Sequence, residues 1–149
     1  MKSAVIVFIF ILAGCTSTPP QTASTYSNTM DIIKAAADSA PHGVPGEYTL
    51  KIVATGSQGK FVYLNTEKDY RDQRAVTVAL HPSVISQLSA KYGMPPQDYF
   101  IDKKIVINGE AKRVKIAFIS QGKVTNKYYY QTHIRLMDIS QLMVLDEKA

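Results

Sequence analysis

Three histidines, one cysteine and a short run of mixed charge hold most of the chemistry this chain could perform. His42, His81 and His133 lie far apart and share no metal-ligand spacing. Glu67, Asp69 and Asp72 are close neighbours, but they lack the alternating oxygen ligands and closing Glu of a calcium loop. Lys68, Arg71 and Arg74 are interleaved with them, so the carboxylates read as an internally neutralised ion-pair cluster. No Ser, Cys or Thr occupies a nucleophile elbow, and no Gly-rich phosphate loop is present. This inventory points away from catalysis, and no metal or cofactor is expected. What remains is the chemistry of binding.

Three groups of residues could bind. In Asn65 to Arg74, Tyr70 can stack while Arg71 and Arg74 clamp an anionic or carboxylate group; the same segment also fits a solvated hairpin tip. Phe61, Tyr63 and Asn65 alternate with Val62 and Leu64, and Thr77 lies between Val76 and Val78. If the aliphatic set faces inward, the aromatic and polar set forms an outward binding face. Further on, Arg113 and Lys115 alternate with Val114 and Ile116, and Tyr129, Gln131, His133 and Arg135 alternate with Tyr130, Thr132, Ile134 and Leu136. Should the two segments pair, Arg113, Lys115, His133 and Arg135 are expected on one basic surface. Like charges gathered that way do not stabilise a sheet, so a polyanion would be their partner.

The elements that must position these groups are short strands. Tyr48 to Thr55 is expected as the first, with a turn at Gly56-Ser57-Gln58-Gly59. Phe61 to Asn65 and Ala75 to Leu80 follow as the second and third. Lys104 to Asn108 and Ala111 to Ile119 make one bent strand or two, interrupted at Asn108-Gly109, and Tyr128 to Leu136 is the last long strand, extended by Gln141 to Leu145. Between the third and fourth the period changes: Pro82 suits a first helical position, Val84, Ile85, Leu88 and Tyr92 recur at spacings of three and four, and Gly93 stops the helix. Upstream, Asn28 or Thr29 could cap a short helix over Met30 to Ala40, before Pro41, Gly43, Pro45 and Gly46 break the pattern. Three strands, one helix and two strands resemble an OB-fold, a five-stranded Greek-key barrel with its helix between strands three and four. An open sandwich with the helix across one end is the rival arrangement. The resemblance covers Gly46 to Leu145 and implies that the outward face of strands two and three binds oligonucleotides or oligosaccharides. The stretch Leu64 to Asp72 also resembles a segment of exported bacterial OB-like proteins.

Cys15 closes the run Leu12-Ala13-Gly14-Cys15, behind a Met1-Lys2 start and an apolar stretch from Ala4 to Leu12. That is the layout of a secretory signal, and the apolar run is shorter than the roughly 20 residues needed to cross hydrocarbon. The ending resembles a bacterial lipoprotein lipobox. It implies cleavage between Gly14 and Cys15, acylation of Cys15, and a membrane lipid as first partner. Thr16 in place of Asp implies, by the same resemblance, the outer membrane with the domain facing the periplasm. The expected organisation is a signal over 1–14, a lipidated flexible tether with a possible short helix over 15–45, and the OB-like domain over 46–149. With its single Cys acylated the chain cannot form an internal disulfide, so an apolar core must hold it; 46% hydrophobic content suffices. The net charge of +5 and the envelope address together suggest an envelope protein or an anionic envelope polymer as partner, ahead of nucleic acid.

Overall fold

In the computed structural model, which describes residues 23–145, the alternating segments pair into one eight-stranded mixed sheet. The elements in chain order are β1 (Ser24–Tyr26), α1 (Thr29–Asp38), β2 (Val44–Lys51), β3 (Ala54–Gln58), β4 (Phe61–Asn65) and β5 (Val76–Leu80), then α2 (Pro82–Tyr92), α3 (Pro96–Tyr99), β6 (Lys104–Ser120), β7 (Lys123–Leu136), a 3-10 turn (Ile139–Gln141) and β8 (Leu142–Leu145). The sheet runs β1-β2-β6-β7-β5-β4-β3, with β8 added against β6. β1 pairs parallel to β2 and β5 parallel to β7; the other ladders are antiparallel.

The mainly β expectation holds, with two corrections. Among the described residues there are eight strands rather than five, and no ladder joins β3 to β2, so the sheet is not a closed barrel. The first expected strand divides because the chain turns at Ile52-Val53. The Ile52 N–H bonds to the Lys103 carbonyl, at the end of the β2–β6 pairing, and the Val53 N–H bonds to the Asn65 carbonyl, at the start of the β3–β4 pairing. One side of the bend therefore belongs to each end of the sheet. Gly56 and Ser57 lie in β3 rather than in a turn, and Gly59, with φ of +58°, carries the reversal.

The expected interruption at Asn108-Gly109 is also absent. Gly109 stays extended opposite Gly46, and a Cβ there would come within 3.0 Å of the Ile134 side chain. Its glycine serves close packing rather than a turn.

Within the segment 15–45, expected as a flexible tether with a possible short helix, residues 24–45 are structured and the helix is present as α1. β1 adds to the sheet edge, Tyr26 stacks on Tyr48 at 5.3 Å, and α1 seals the core with Ile32 and Ala36, both fully buried. Those two sit four residues apart, one helical turn, which is why a helix with this pattern can dock. Asn28 caps it by accepting the Met30 N–H at 2.8 Å. Cys15 and the signal lie outside the described residues. Inside the sheet, Leu50, Leu64, Val78, Leu80, Ile107 and Ile134 pack against Val84 and Leu88 of α2 and against Phe100. α2 starts at Pro82 with His81 as cap and ends at Gly93 in the left-handed conformation, φ 72°, the helix that the three- and four-residue spacing requires.

Candidate binding face

Registers bring the outward sets of five strands together. Tyr63 lies opposite Gly56 and Ala79, and Asn65 lies opposite Thr77. Thr77 in turn lies beside His133, and Ile116 faces Tyr129 across the β6–β7 ladder. Because paired residues share a face, these side chains line one concave site of about 350 Å³ on the side of the sheet away from the core. Tyr70 overhangs it from the β4–β5 loop.

The floor is polar and buried. Asn65 and Thr77 are 5% and 3% exposed, and Thr77 Oγ1 donates to Asn65 Oδ1 at 2.8 Å. The walls are aromatic: Tyr63 lies 6.4 Å from His133 and 6.5 Å from Phe61, and Tyr129 lies 5.2 Å from Phe118, centroid to centroid. Gln131 joins wall to loop, its Nε2 donating to the Tyr70 carbonyl at 2.9 Å and to the Tyr129 hydroxyl at 3.2 Å. That leaves its Oε1 as acceptor for His133 Nε2 at 2.6 Å; an amide oxygen can only accept, so the neutral ring donates from Nε2.

The loop over the site is built from its own charges. The Asp69 carboxylate accepts the Arg71 N–H at 2.9 Å and Nε at 3.1 Å, and Asp72 accepts the same two groups of Arg74 at 2.9 and 3.1 Å. The side-chain bonds from Arg74, then its backbone N–H, hold the Asp72 carboxyl down to about 2. The Arg71 N–H, followed by its guanidinium, lowers Asp69. Arg71 and Arg74 therefore act inside the loop, as the ion-pair reading of this segment anticipates, rather than as an open clamp. Arg71 also sits over the Tyr70 ring at 5.5 Å. Inside the site the charge is nearly nil. Burial, with a smaller push from Arg135, drops the His133 pKa to about 4, so the ring is neutral near pH 7.

Of the sequence candidates, Tyr63, Asn65, Tyr70 and His133 converge here, Phe61 flanks the wall, and Arg71 stands above the loop. Arg135 points the same way as His133 but lies beside Ala79, off the concavity. The expected basic surface does not form. Arg113 is paired with Thr132 and Lys115 with Tyr130, whereas His133 is paired with Lys112. Arg113 and Lys115 thus lie on the opposite face from His133 and Arg135. There Arg113 covers the Tyr130 ring at 3.7 Å and Lys115 the Tyr128 ring at 4.1 Å. Gln131, Tyr129 and Ile116 are site residues that sequence reasoning did not select; alternation in step with His133 was the available signal for Tyr129 and Gln131, while Ile116 is placed by the β6–β7 register. No group of three or more His, Cys, Asp or Glu side chains that could hold a metal occurs among the described residues.

No family model and no curated protein matches the chain. Among solved structures it is similar to a Leishmania major Friedlin protein designated an aspartyl-tRNA synthetase, at 10% identity and a TM-score of 0.43, over 94% of this chain and 24% of that one. The chain thus spans about a quarter of that protein's length.

Proposed function

We propose that this chain is a lipid-anchored, non-enzymatic binding module of OB-like build, and that its outward face seats a ring-bearing polymer, an oligosaccharide in the first instance. The observation that carries the reading is the chemistry of the concave site: tyrosine walls around a neutral, hydrogen-bonding floor. Aromatic faces pack against the apolar faces of a sugar ring, while Asn65, Thr77, Gln131 and His133 offer neutral donors and acceptors to hydroxyl groups. A phosphate backbone would require free cations along the site, and Arg71 and Arg74 are already held by Asp69 and Asp72. The OB-like part rests on strand order. Counting β2 and β3 as one strand bent at Ile52-Val53, five strand segments follow in chain order, with α2 between the third, β5, and the fourth, β6. The anchor rests on Leu12-Ala13-Gly14-Cys15, and with it the proposed place on a bacterial envelope membrane facing the periplasm.

Titration by NMR with neutral oligosaccharides, and in parallel with a single-stranded oligonucleotide, tests the reading. The expected result is saturable shifts at Tyr63, Thr77, Gln131 and His133 with the sugar. Tyr63→Ala and Tyr70→Ala each weaken binding by about 1–3 kcal/mol, the scale of one stacking contact. Binding of the oligonucleotide alone, with a steep salt dependence, would replace the sugar with a nucleic acid. Binding indifferent to both tyrosine substitutions would remove the site.

A further inference from the structure

The β6–β7 hairpin runs well past the core. Its last fully buried pair is Ala111 with Ile134, and from there β6 continues to Ser120, about 30 Å at the strand rise. The tip is a two-residue turn in which Gln121 and Gly122 both have positive φ, 50° and 74°, the turn whose twist matches a long hairpin. Between Ala111 and Gln131 the arm carries Lys112, Arg113, Lys115, Lys123 and Lys127 and not one Asp or Glu. Lys112 pairs with Glu110 at 3.3 Å; the other four form no ion pair among the described residues. At the far end Ile119 and Val124, partners in the ladder, are 70% and 73% exposed. Along the shaft Tyr128 and Tyr130 stand under Lys115 and Arg113.

Beyond the ring contacts of Arg113 and Lys115, neither feature stabilises the fold. Four cations without a carboxylate partner among the described residues repel one another along one arm, and an exposed apolar hairpin tip invites aggregation. A soluble polyanion would answer the cations but leave Ile119 and Val124 in water. An anionic bilayer answers both, with phosphates for the cations, the interfacial zone for the tyrosines and the acyl boundary for the tip. We infer that the β6–β7 hairpin is a docking arm for an anionic phospholipid surface, with Ile119 and Val124 entering the headgroup–acyl boundary and Arg113, Lys115, Lys123 and Lys127 meeting lipid phosphates. The arm does this whether or not Cys15 is acylated and whatever the concave site binds.

The test uses the full chain carrying Cys15→Ser and one new cysteine, Ile119→Cys at the tip or Ala90→Cys on the exposed side of α2, labelled with an environment-sensitive fluorophore. Two labelled positions are needed because the apolar run Ala4 to Leu12 could itself hold the chain to vesicles. On vesicles of equal phosphatidylglycerol and phosphatidylcholine, the label at 119 shifts blue and is quenched by a lipid-borne quencher, while the label at 90 is not. Lys123→Gln and Lys127→Gln each weaken that response about fivefold, and molar salt abolishes it. A tip label that stays aqueous on these vesicles overturns the inference. So does an equal response on phosphatidylcholine alone, or one reproduced by soluble polyphosphate without lipid.

Discussion

His133 makes the stability of this protein sensitive to mild acid. Folded, its pKa lies at about 4, first because the ring is partly buried against Tyr63 and Gln131 and second because Arg135 is near; unfolded, it returns to 6.5. Above pH 6.5 both states hold the ring neutral, and the residue has no effect on stability. As the pH falls below 6.5 the unfolded chain takes up a proton that the folded one refuses, so the balance moves toward unfolding until the folded ring also titrates near 4. Through that window the loss grows to about 2 kcal/mol at pH 5 and about 3 kcal/mol at pH 4. Urea denaturation of wild type and His133→Gln at pH 7.5, 6, 5 and 4 isolates the effect, because the carboxylates titrate in both proteins and cancel in the difference. The wild type should lose about 3 kcal/mol more than the variant between the extremes. Parallel losses in the two proteins, or a proton NMR titration of His133 centred near 6.5, would refute a buried neutral imidazole. The neutral floor of the binding site would then be lost as well.

Thr77→Val keeps shape but removes the hydroxyl that donates to buried Asn65 Oδ1, so it should cost about 1–3 kcal/mol, read as a lower thermal midpoint with the fold's circular dichroism intact. Gly46→Ala places a Cβ 2.7 Å from the Ser24 carbonyl, which cannot yield without parting β1 from β2. Hydrogen exchange in Ser24–Tyr26 should accelerate in that variant while amides of β4 and β5 keep their protection; unchanged exchange would show that β1 is not held there.

Much of the binding face was legible in local pattern. Alternation assigned Val62 and Leu64 inward and Phe61 and Tyr63 outward, and the structure keeps that partition. It also set Tyr129, Gln131 and His133 in one outward row. What alternation could not supply was depth. Asn65 and Thr77 face away from the core yet are buried, because the Tyr70 loop and the neighbouring strands rise around them. The charge interleaving from Glu67 to Arg74 already pointed to an ion-pair cluster, and Arg71 and Arg74 are engaged two residues away, by Asp69 and Asp72.

β1, α3 and the division of β2 from β3 were not legible in residue order. Residue order alone determined most of the strands, the places of α1 and α2 and their ends, and which side chains share a face within each strand. These are consequences of periods of 2 and 3.6 and of local hydrogen bonds, and they need no distant partner. Tertiary structure decided which faces meet. The parallel pairing of β5 with β7 puts Thr77 beside His133, and the β6–β7 register sends Arg113 and Lys115 to the side opposite His133. A shift of one residue in that ladder would have gathered all the cations together, and no local signal separates the two registers. The choice is made by the core, which accepts Ala111 against Ile134 and excludes the charged neighbours on either side.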